Sequence, residues 1–222
     1  MKAVIFDLDD TLYQELSFVG AAFHQVACYL NLKYQIPADD VFAYMRKCLA
    51  RQGRGRIFNS VCEHFTIQEP VSELVSIYRN TKPKLTLYTD ADEILSFLRE
   101  RGCLLGVLTD GASVVQHNKV EALNLYKLVD EIMITDDYGE GYQKPGTKGF
   151  EKLLQEFDCR PEEAMYVGDN PKKDFIGARA LGMQTVRIIR PIGDNMKLPA
   201  EPEYEADVTI QLLTQLKEMW NK

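Results

Sequence analysis

An acidic segment, Asp7-Leu8-Asp9-Asp10-Thr11-Leu12, directly follows the apolar run Ala3–Phe6. In open α/β sheets, ligands bind beyond the carboxyl ends of the strands, which is where Asp7 would lie. Asp9 is two residues further on, so an extended chain directs both side chains to the same side. A solvated acidic loop is the alternative, but uncompensated charge at the end of a buried strand is costly. These carboxylates are therefore candidates for a functional site.

Three further segments have polar side chains that could bind an anion or a metal. They are Thr109-Asp110-Gly111, Lys144-Pro145 and the segment from Gly168 to Asp174. The hydroxyl of Thr109 and nearby backbone N–H groups can hold phosphate oxygens, although Thr-Asp-Gly is also an ordinary turn. Asn170 is explained as a helix cap, which leaves Asp169 and Asp174 without a structural explanation. Each segment alone is only a weak indication of a binding site. A lone lysine in a loop, such as Lys144, is usually solvated.

Short apolar runs with little polar alternation predict buried strands of a parallel sheet. They are Ala3–Phe6, Leu104–Leu108, Glu131–Thr135, Ala164–Val167, Thr185–Ile189 and Asp207–Ile210. The helical patterns between them are Asp92–Arg101, Ser113–Leu123, Thr147–Phe157 and Pro171–Leu181. The last pattern has strong start and stop signals, with Asn170 before it and Gly182 after it. Strands alternating with helices indicate an α/β fold with a doubly wound, Rossmann-like parallel sheet.

The stretch between the first strand and about residue 84 interrupts this alternation with helix alone. In Glu15–Tyr34, apolar residues recur every three or four positions, and three shorter amphipathic patterns follow. We therefore predict an all-helical domain over residues 15–83. It would be inserted into an α/β core made of residues 1–14 and 84–222.

Together, the four polar segments have the order Asp-x-Asp, Thr, Lys and Gly-Asp-x4-Asp, at strand ends or just before a helix. This order resembles the motifs of the haloacid dehalogenase (HAD) superfamily of phosphohydrolases, and the segment 7–12 is its most specific part. The resemblance covers essentially the whole chain. The helical insert is similar to the C1 cap of that superfamily. The resemblance implies an enzyme that works through an aspartyl-phosphate intermediate.

The resemblance also implies a role for individual residues. Asp7 would be the nucleophile, and Asp9 would be the general acid and then the general base. Thr109 and Lys144 would bind the phosphoryl group together with backbone N–H groups near Asp110 and Gly111.

A metal site is implied as well, and its oxygen ligands favour Mg²⁺ over Zn²⁺. The ligands would be Asp7, Asp169, the backbone carbonyl of Asp9 and Asp174, the last through water or only by orienting its neighbours. Two like unit charges about 4 Å apart cost roughly 4 kcal/mol at an effective dielectric of 20. A phosphate dianion beside several carboxylates therefore needs more positive charge than Lys144 provides.

Four further residues are candidates for substrate contact. Arg51, Arg54 and Arg56 lie in Arg-Gln-Gly-Arg-Gly-Arg, within the helical insert. They could face a second anionic group of the substrate, or they could form a solvated loop. Tyr13, close after the acidic segment, could contact the substrate or pack near the connection to the insert.

Composition limits the partners and the compartment. The chain of 222 residues has a net charge of −7, which argues against nucleic acid as a partner. No uncharged apolar run approaches the roughly 20 residues that span a bilayer, so we expect no membrane partner. The five cysteines are widely spaced and no CxxC occurs, which favours reduced thiols and a cytoplasmic location. We expect a monomer or a homodimer.

The main prediction is Mg²⁺-dependent hydrolysis of a small phosphorylated metabolite, a sugar phosphate or a nucleoside monophosphate. Within the superfamily that the chain resembles, dehalogenases lack an acid at the position of Asp9, so its presence favours phosphate ester chemistry. A phosphomutase built on the same core is one alternative. A non-catalytic module that binds a phosphorylated metabolite is another.

Overall fold

The computed structural model of the chain describes residues 1–220. Six parallel strands form one sheet with the order β3-β2-β1-β4-β5-β6. The strands are β1 (Ala3–Phe6), β2 (Leu104–Thr109), β3 (Glu131–Ile134), β4 (Ala164–Gly168), β5 (Gln184–Ile188) and β6 (Val208–Ile210). Each corresponds to one of the predicted apolar runs, and the predicted α/β fold with a doubly wound parallel sheet is confirmed.

The α-helices make up about half of the remaining described chain. They are α1 (Glu15–Tyr34), α2 (Ala38–Gln52), α3 (Ile57–His64), α4 (Val71–Arg79), α5 (Thr89–Glu100), α6 (Ser113–Ala122), α7 (Lys148–Glu156), α8 (Ile176–Leu181) and α9 (Leu216–Trp220). Among the described residues, no helix has the length and apolar character needed to cross a membrane.

The strand order reverses its direction between β1 and β4. From β1 the chain adds β2 and then β3 on one side, and it then adds β4, β5 and β6 on the other. A crevice forms at such a reversal, beyond the carboxyl ends of the two central strands. The residues that follow β1 and β4 are Asp7 and Asp169, so the topology brings two of the predicted site residues together.

Burial and register explain why β1 fixes the position of Asp7. All four residues of β1 are at most 1% exposed, because β2 and β4 flank the strand. Phe6 lies opposite Val107 of β2 and Val167 of β4. The backbone N–H of Asp7 donates a hydrogen bond of 2.8 Å to the carbonyl of Val167. The nucleophile candidate is therefore held by the ladder of the sheet.

The chain divides into two compact units. One comprises Met1–Glu15 with the described chain from Leu85 onward, and it contains the sheet; the other is the helical unit Leu16–Lys84. In the helical unit, Tyr78 packs its ring against Phe18 and Phe58, with ring centroids 5.5 and 5.9 Å apart. That this unit acts as a cap stays a prediction.

The predicted helix Pro171–Leu181 is only partly present. The segment from Asn170 to Asp174 forms a single turn, and α8 begins at Ile176. Asn170 does accept a local hydrogen bond, 3.0 Å from the backbone N–H of Lys172. The chain bends because the carboxylate of Asp174 turns back to accept the N–H groups of Asp169 and Asn170, at 3.1 and 2.8 Å. The predicted C-terminal end of the helix is correct, since Gly182 ends α8 with a φ of 93°.

Candidate active site

Asp7 is bound by a lysine that is completely buried. Lys144 Nζ lies 2.6 Å from Asp7 Oδ1, and its side chain is 0% exposed. The same ammonium group lies 2.8 Å from Asp174 Oδ1 and donates to the hydroxyl of Tyr166 at 2.7 Å. Burial lowers the pKa of Lys144, but Asp174 and Asp7 outweigh burial and raise it well above its usual value. Lys144 is therefore a fixed cation that orients the carboxylate of Asp7.

Asp7, Asp169 and Asp174 form a cluster of buried carboxylates. One oxygen of each lies within 4.8 Å of the others. Burial raises the pKa of Asp7 to about 6, although the charge of Lys144 lowers it. Burial, with the charges of Asp7 and Asp174, raises the pKa of Asp169 to about 9. The cluster has more negative charge than Lys144 offsets, so a further cation would stabilise it.

Asp9 is surrounded by hydrogen-bond donors. Lys119 Nζ lies 2.7 and 2.8 Å from its two carboxylate oxygens. The hydroxyl of Tyr13 donates to Oδ1 at 2.6 Å, and the amide of Gln116 donates to Oδ2 at 3.1 Å. Burial raises the pKa of Asp9, but Lys119 and the other donors outweigh burial and hold it below its usual range. The structure thus stabilises Asp9 as a carboxylate.

Thr109 lies at the end of β2 and is bonded to the same amide of Gln116. Gln116 Nε2 lies 2.5 Å from Thr109 Oγ1. A carboxylate only accepts, so the bond to Asp9 shows that the Gln116 atom facing both groups is the amide nitrogen. The oxygen of Thr109 then accepts this hydrogen bond, and its own hydroxyl proton is available to another acceptor. This arrangement suits a group that donates to a phosphoryl oxygen.

The side chain of Asp110 connects neighbouring segments of the chain. Its carboxylate accepts from the hydroxyl of Thr135 at 2.9 Å and from the backbone N–H of Lys144 at 3.3 Å. Lys173 Nζ also lies 3.3 Å from it. Gly111 follows with a φ of 136°, a conformation that favours glycine. The turn after β2 is therefore tied to the loop that contains Lys144.

A pocket with mostly acidic walls surrounds Asp7. It is lined by Asp7, Asp9, Asp10, Glu15, Asp110, Asp169, Lys173 and Asn195. Six of these eight side chains are carboxylates, so an anionic substrate would be repelled from the pocket without additional positive charge.

With the fold and this geometry established, the relation to known proteins can be stated. Residues 4–188 match the family model of the haloacid dehalogenase-like hydrolases. The chain belongs to this family. The superfamily predicted from the four motifs is confirmed.

Individual relatives of this HAD-like hydrolase extend over nearly its whole length. A glyceraldehyde 3-phosphate phosphatase of Methanopyrus kandleri is 31% identical over 99% of this chain and 98% of its own length. A phosphoserine phosphatase of Thermus thermophilus is 27% identical over 95% of each chain. The solved structure of a HAD phosphatase from Thermococcus onnurineus has a TM-score of 0.65 and 28% identity, covering 99% of this chain and 98% of that one. The predicted enzyme class, a phosphoric monoester hydrolase, is confirmed.

The HAD-like core brings most of the predicted site residues together. Asp7, Asp169 and Asp174 converge, Lys144 bonds to two of them, and Asp9 lies in the same pocket. Their chemical roles stay proposals.

The candidate substrate contacts have different surroundings. Tyr13 is 0% exposed and bonds to Asp9, so its side chain is packed. Arg51, Arg54 and Arg56 are exposed in the helical unit, and Arg56 forms an exposed ion pair with Glu63 at 3.6 Å. A role for these arginines in binding stays a prediction.

Three neighbours of the reacting groups were not predicted from the sequence. They are Gln116 and Lys119 of α6, and Asn195, whose amide donates to Asp169 at 2.9 Å. A signal for Lys119 does exist in the sequence, because it lies four residues from Val115 and four from Leu123, which are buried and share its side of the helix. A lysine on an apolar helix face needs a buried partner. Asn195 lies in an irregular loop where no periodicity indicates its neighbours.

Proposed function

We propose that this HAD-like hydrolase is a Mg²⁺-dependent phosphatase that forms an aspartyl-phosphate on Asp7. The observation that supports the proposal most directly is the position of Asp7. It lies at the switch point of the sheet, with Lys144 at 2.6 Å and two further carboxylates close by. A carboxylate whose rotamer is fixed in a pocket is a suitable nucleophile.

The two chemical steps need one nucleophile and one acid–base group. In the first step, an oxygen of Asp7 attacks phosphorus, the bond from phosphorus to the leaving oxygen breaks, and Asp9 gives a proton to that oxygen. In the second step, Asp9 takes a proton from water as the water oxygen attacks phosphorus. The bond between Asp7 and phosphorus then breaks, and inorganic phosphate leaves.

The donor set in the pocket fits a small divalent cation. Asp7, Asp169 and Asp174 offer only oxygen ligands, and one carboxylate oxygen of each lies within 4.8 Å of the others. Hard cations such as Mg²⁺ prefer such ligands. Asp169, with its pKa raised to about 9, has no cation at hydrogen-bond distance among the described residues. Asp7, Asp169 and the backbone carbonyl of Asp9 would hold the ion, with Asp174 nearby. Bound Mg²⁺ would offset the charge of these carboxylates and of the phosphoryl group.

The phosphoryl group would be held by the turn after β2. Thr109 would donate its hydroxyl proton, and backbone N–H groups near Asp110 and Gly111 would add to it. Lys144 would balance part of the charge while it holds Asp7. Developing charge on the phosphoryl oxygens is stabilised by groups that are already oriented, which is the largest contribution in many enzymes.

The substrate proposed is a small phosphorylated metabolite, such as a sugar phosphate or a nucleoside monophosphate. Relatives named for glyceraldehyde 3-phosphate and for phosphoserine both act on three-carbon monophosphates. Compounds of this size are therefore the first to test.

A phosphatase screen with purified protein and Mg²⁺ tests the proposal. We expect phosphate release from p-nitrophenyl phosphate and from at least one three-carbon or sugar monophosphate, and EDTA should stop it. The Asp7→Asn variant should have neither turnover nor hydroxylamine-sensitive phosphoprotein. Full activity in excess chelator would contradict the requirement for a metal ion. A phosphoprotein formed by Asp7→Asn would contradict the assignment of Asp7 as the nucleophile.

The same assay distinguishes the alternatives. A phosphomutase would return the phosphoryl group to its substrate, so a sugar monophosphate would give an isomer in place of inorganic phosphate. A binding module would release no phosphate from any compound in the panel.

A further inference from the structure

Lys119 is a buried cation on α6, and the proposed mechanism does not use it. Its side chain is 3% exposed, and its ammonium group contacts both oxygens of Asp9, at 2.7 and 2.8 Å. Burying a lysine is costly unless a partner offsets the loss of hydration. Two carboxylates offset this cost, because the ammonium group also lies 3.7 Å from Glu15 Oε1, and its shorter contacts are those to Asp9.

We propose that Lys119, with Gln116 one turn before it, is the positioning residue for Asp9 in the phosphatase reaction. The inference rests on the proposed function and assigns Lys119 no contact with the substrate. Lys119 would fix the carboxylate of Asp9 so that it can give a proton to the leaving oxygen and later take one from water.

The contacts around Asp9 determine the orientation of the carboxylate as well as its charge. A single donor leaves a carboxylate free to rotate about its Cβ–Cγ bond. Here Lys119 bonds to both oxygens, Tyr13 bonds to Oδ1, and Gln116 bonds to Oδ2. Donors on both oxygens hold the plane of the group, and a misplacement of about 1 Å in an active site can cost roughly 100-fold in rate.

Gln116 links this carboxylate to the group proposed to hold the phosphoryl oxygen. Its amide nitrogen donates to Asp9 Oδ2 at 3.1 Å and to Thr109 Oγ1 at 2.5 Å. Gln116 and Lys119 lie three residues apart on α6, so they project from the same side of the helix. One helix face therefore sets the position of Asp9 and the direction in which the hydroxyl of Thr109 donates.

An ion pair that only stabilises the fold would have a different consequence from a positioning residue. Loss of a structural pair would lower stability and would affect all substrates equally. Loss of a residue that positions a general acid affects only substrates whose leaving oxygen needs a proton. Alkyl phosphates have such leaving groups, whereas p-nitrophenolate is stable without a proton.

The test is the Lys119→Met variant, assayed with the best alkyl phosphate of the wild-type enzyme and with p-nitrophenyl phosphate in Mg²⁺. The ratio kcat/KM includes only the steps up to departure of the leaving group. We expect it to fall about 100-fold for the alkyl phosphate and by a much smaller factor for p-nitrophenyl phosphate. Competitive inhibition by inorganic phosphate should change little, and Lys119→Arg should recover much of the alkyl phosphate activity.

The control variant is Glu121→Gln, which removes a charge from an exposed position on the same helix. It should match the wild-type enzyme with both esters. Equal losses in Lys119→Met for both esters, in a protein that still binds phosphate, would overturn the positioning role and leave the phosphatase intact. A wild-type enzyme that hydrolyses neither ester would overturn the proposed function and this inference with it.

Discussion

Asp7 and Asp9 are two residues apart and each contacts a buried lysine, yet their pKa values are shifted in opposite directions. Burial raises the pKa of Asp7, while Lys119 and two further donors hold the pKa of Asp9 low. A phosphate dianion brought beside Asp9 would raise its pKa again, because like charges disfavour the ionised form. Substrate binding would thus supply part of what Asp9 needs in order to act as an acid.

The Asp9→Asn variant tests the acid–base role directly. An amide cannot exchange a proton at neutral pH, so we expect kcat for an alkyl phosphate to fall roughly 100- to 10,000-fold, with a smaller change in KM. With p-nitrophenyl phosphate, the first step should continue while hydrolysis of the aspartyl-phosphate slows. A burst of p-nitrophenol and a trapped phosphoprotein should then be observed. Near-normal kcat would remove Asp9 from this role.

We expect metal binding to depend on pH through Asp169, the proposed ligand. Its pKa is 3.8 in the unfolded reference and about 9 in the folded, metal-free chain. The folded protein therefore holds a proton that the unfolded chain loses, so the free energy of unfolding of metal-free protein should fall as pH rises across this interval. Asp7 acts in the same direction between pH 3.8 and about 6.

Mg²⁺ needs the ionised carboxylates, so the increase in Tm that it causes should be greater at pH 8 than at pH 6. Thermal melts of EDTA-treated protein, with and without Mg²⁺, measure this increase. The Asp169→Asn variant is the matched control and should lose most of it. An increase that becomes smaller with rising pH would contradict the assignment of Asp169 as a ligand.

At the residue level, the groups predicted from the sequence share one property, a place beside a strand end or a helix start. Asp7, Thr109 and Asp169 are recognisable because a buried strand precedes each of them. Lys119 is different, since it reaches Asp9 over a sequence separation of 110 residues. Only the packing of α6 against the sheet brings the two together, and local periodicity does not specify that packing.

At the level of elements, two glycines have no room for a side chain: Gly168 at the end of β4 and Gly177 in α8. A Cβ on Gly168 would lie 2.4 Å from Asp174 Oδ2, and a Cβ on Gly177 would lie 2.3 Å from the carbonyl oxygen of Pro145. The second contact joins α8 to the segment immediately after Lys144. The absence of a side chain at Gly177 therefore lets α8 pack against the loop that contains Lys144.

The Gly177→Ala variant should accordingly lose stability and activity together. The backbone of Pro145 cannot move away without displacing Lys144, so we expect a loss of about 1–3 kcal/mol in unfolding free energy and a lower kcat. Gly20→Ala is the matched control, because Gly20 lies inside α1 and a Cβ there would meet nothing within 4 Å. It should be neutral or more stable by up to about 1 kcal/mol. Urea unfolding measures both, and an equally stable Gly177→Ala would contradict the packing argument.

The same region shows why the helix predicted over Pro171–Leu181 begins later than expected, at Ile176. Asn170 and Pro171 are strong local signals for a helix start, and they do produce one turn. The carboxylate of Asp174 then accepts two backbone N–H groups of the preceding turn while it bonds to Lys144. These hydrogen bonds of Asp174 depend on the neighbours that the fold brings to it, and local helix propensity does not indicate them. The inner strands were predictable because burial in a parallel sheet leaves a nearly continuous apolar pattern, whereas in the edge strand β6 only Ile210 is buried.

At the scale of the whole molecule, the net charge of −7 is a poor guide to the substrate. Part of it comes from the carboxylates of the pocket, whose effective charge Lys144 and a bound cation would set. A phosphorylated substrate can therefore bind to an acidic protein. The helical unit contributes exposed positive charge on a short segment that includes Arg51, Arg54 and Arg56.

The last prediction concerns how that segment affects substrate choice. If these arginines face a second anionic group, replacing all three with Gln should raise KM by roughly 10-fold for a doubly anionic substrate such as phosphoserine, because exposed ion pairs contribute up to about 1 kcal/mol each. KM for p-nitrophenyl phosphate, with one anionic group, should stay the same. The control replaces Arg46 and Lys47 with Gln, which removes exposed positive charge from α2 of the same unit. Salt should weaken the effect of the three arginines, since exposed charges are screened. Equal changes in KM for both substrates would show that the segment acts only through the overall charge or the stability of the helical unit.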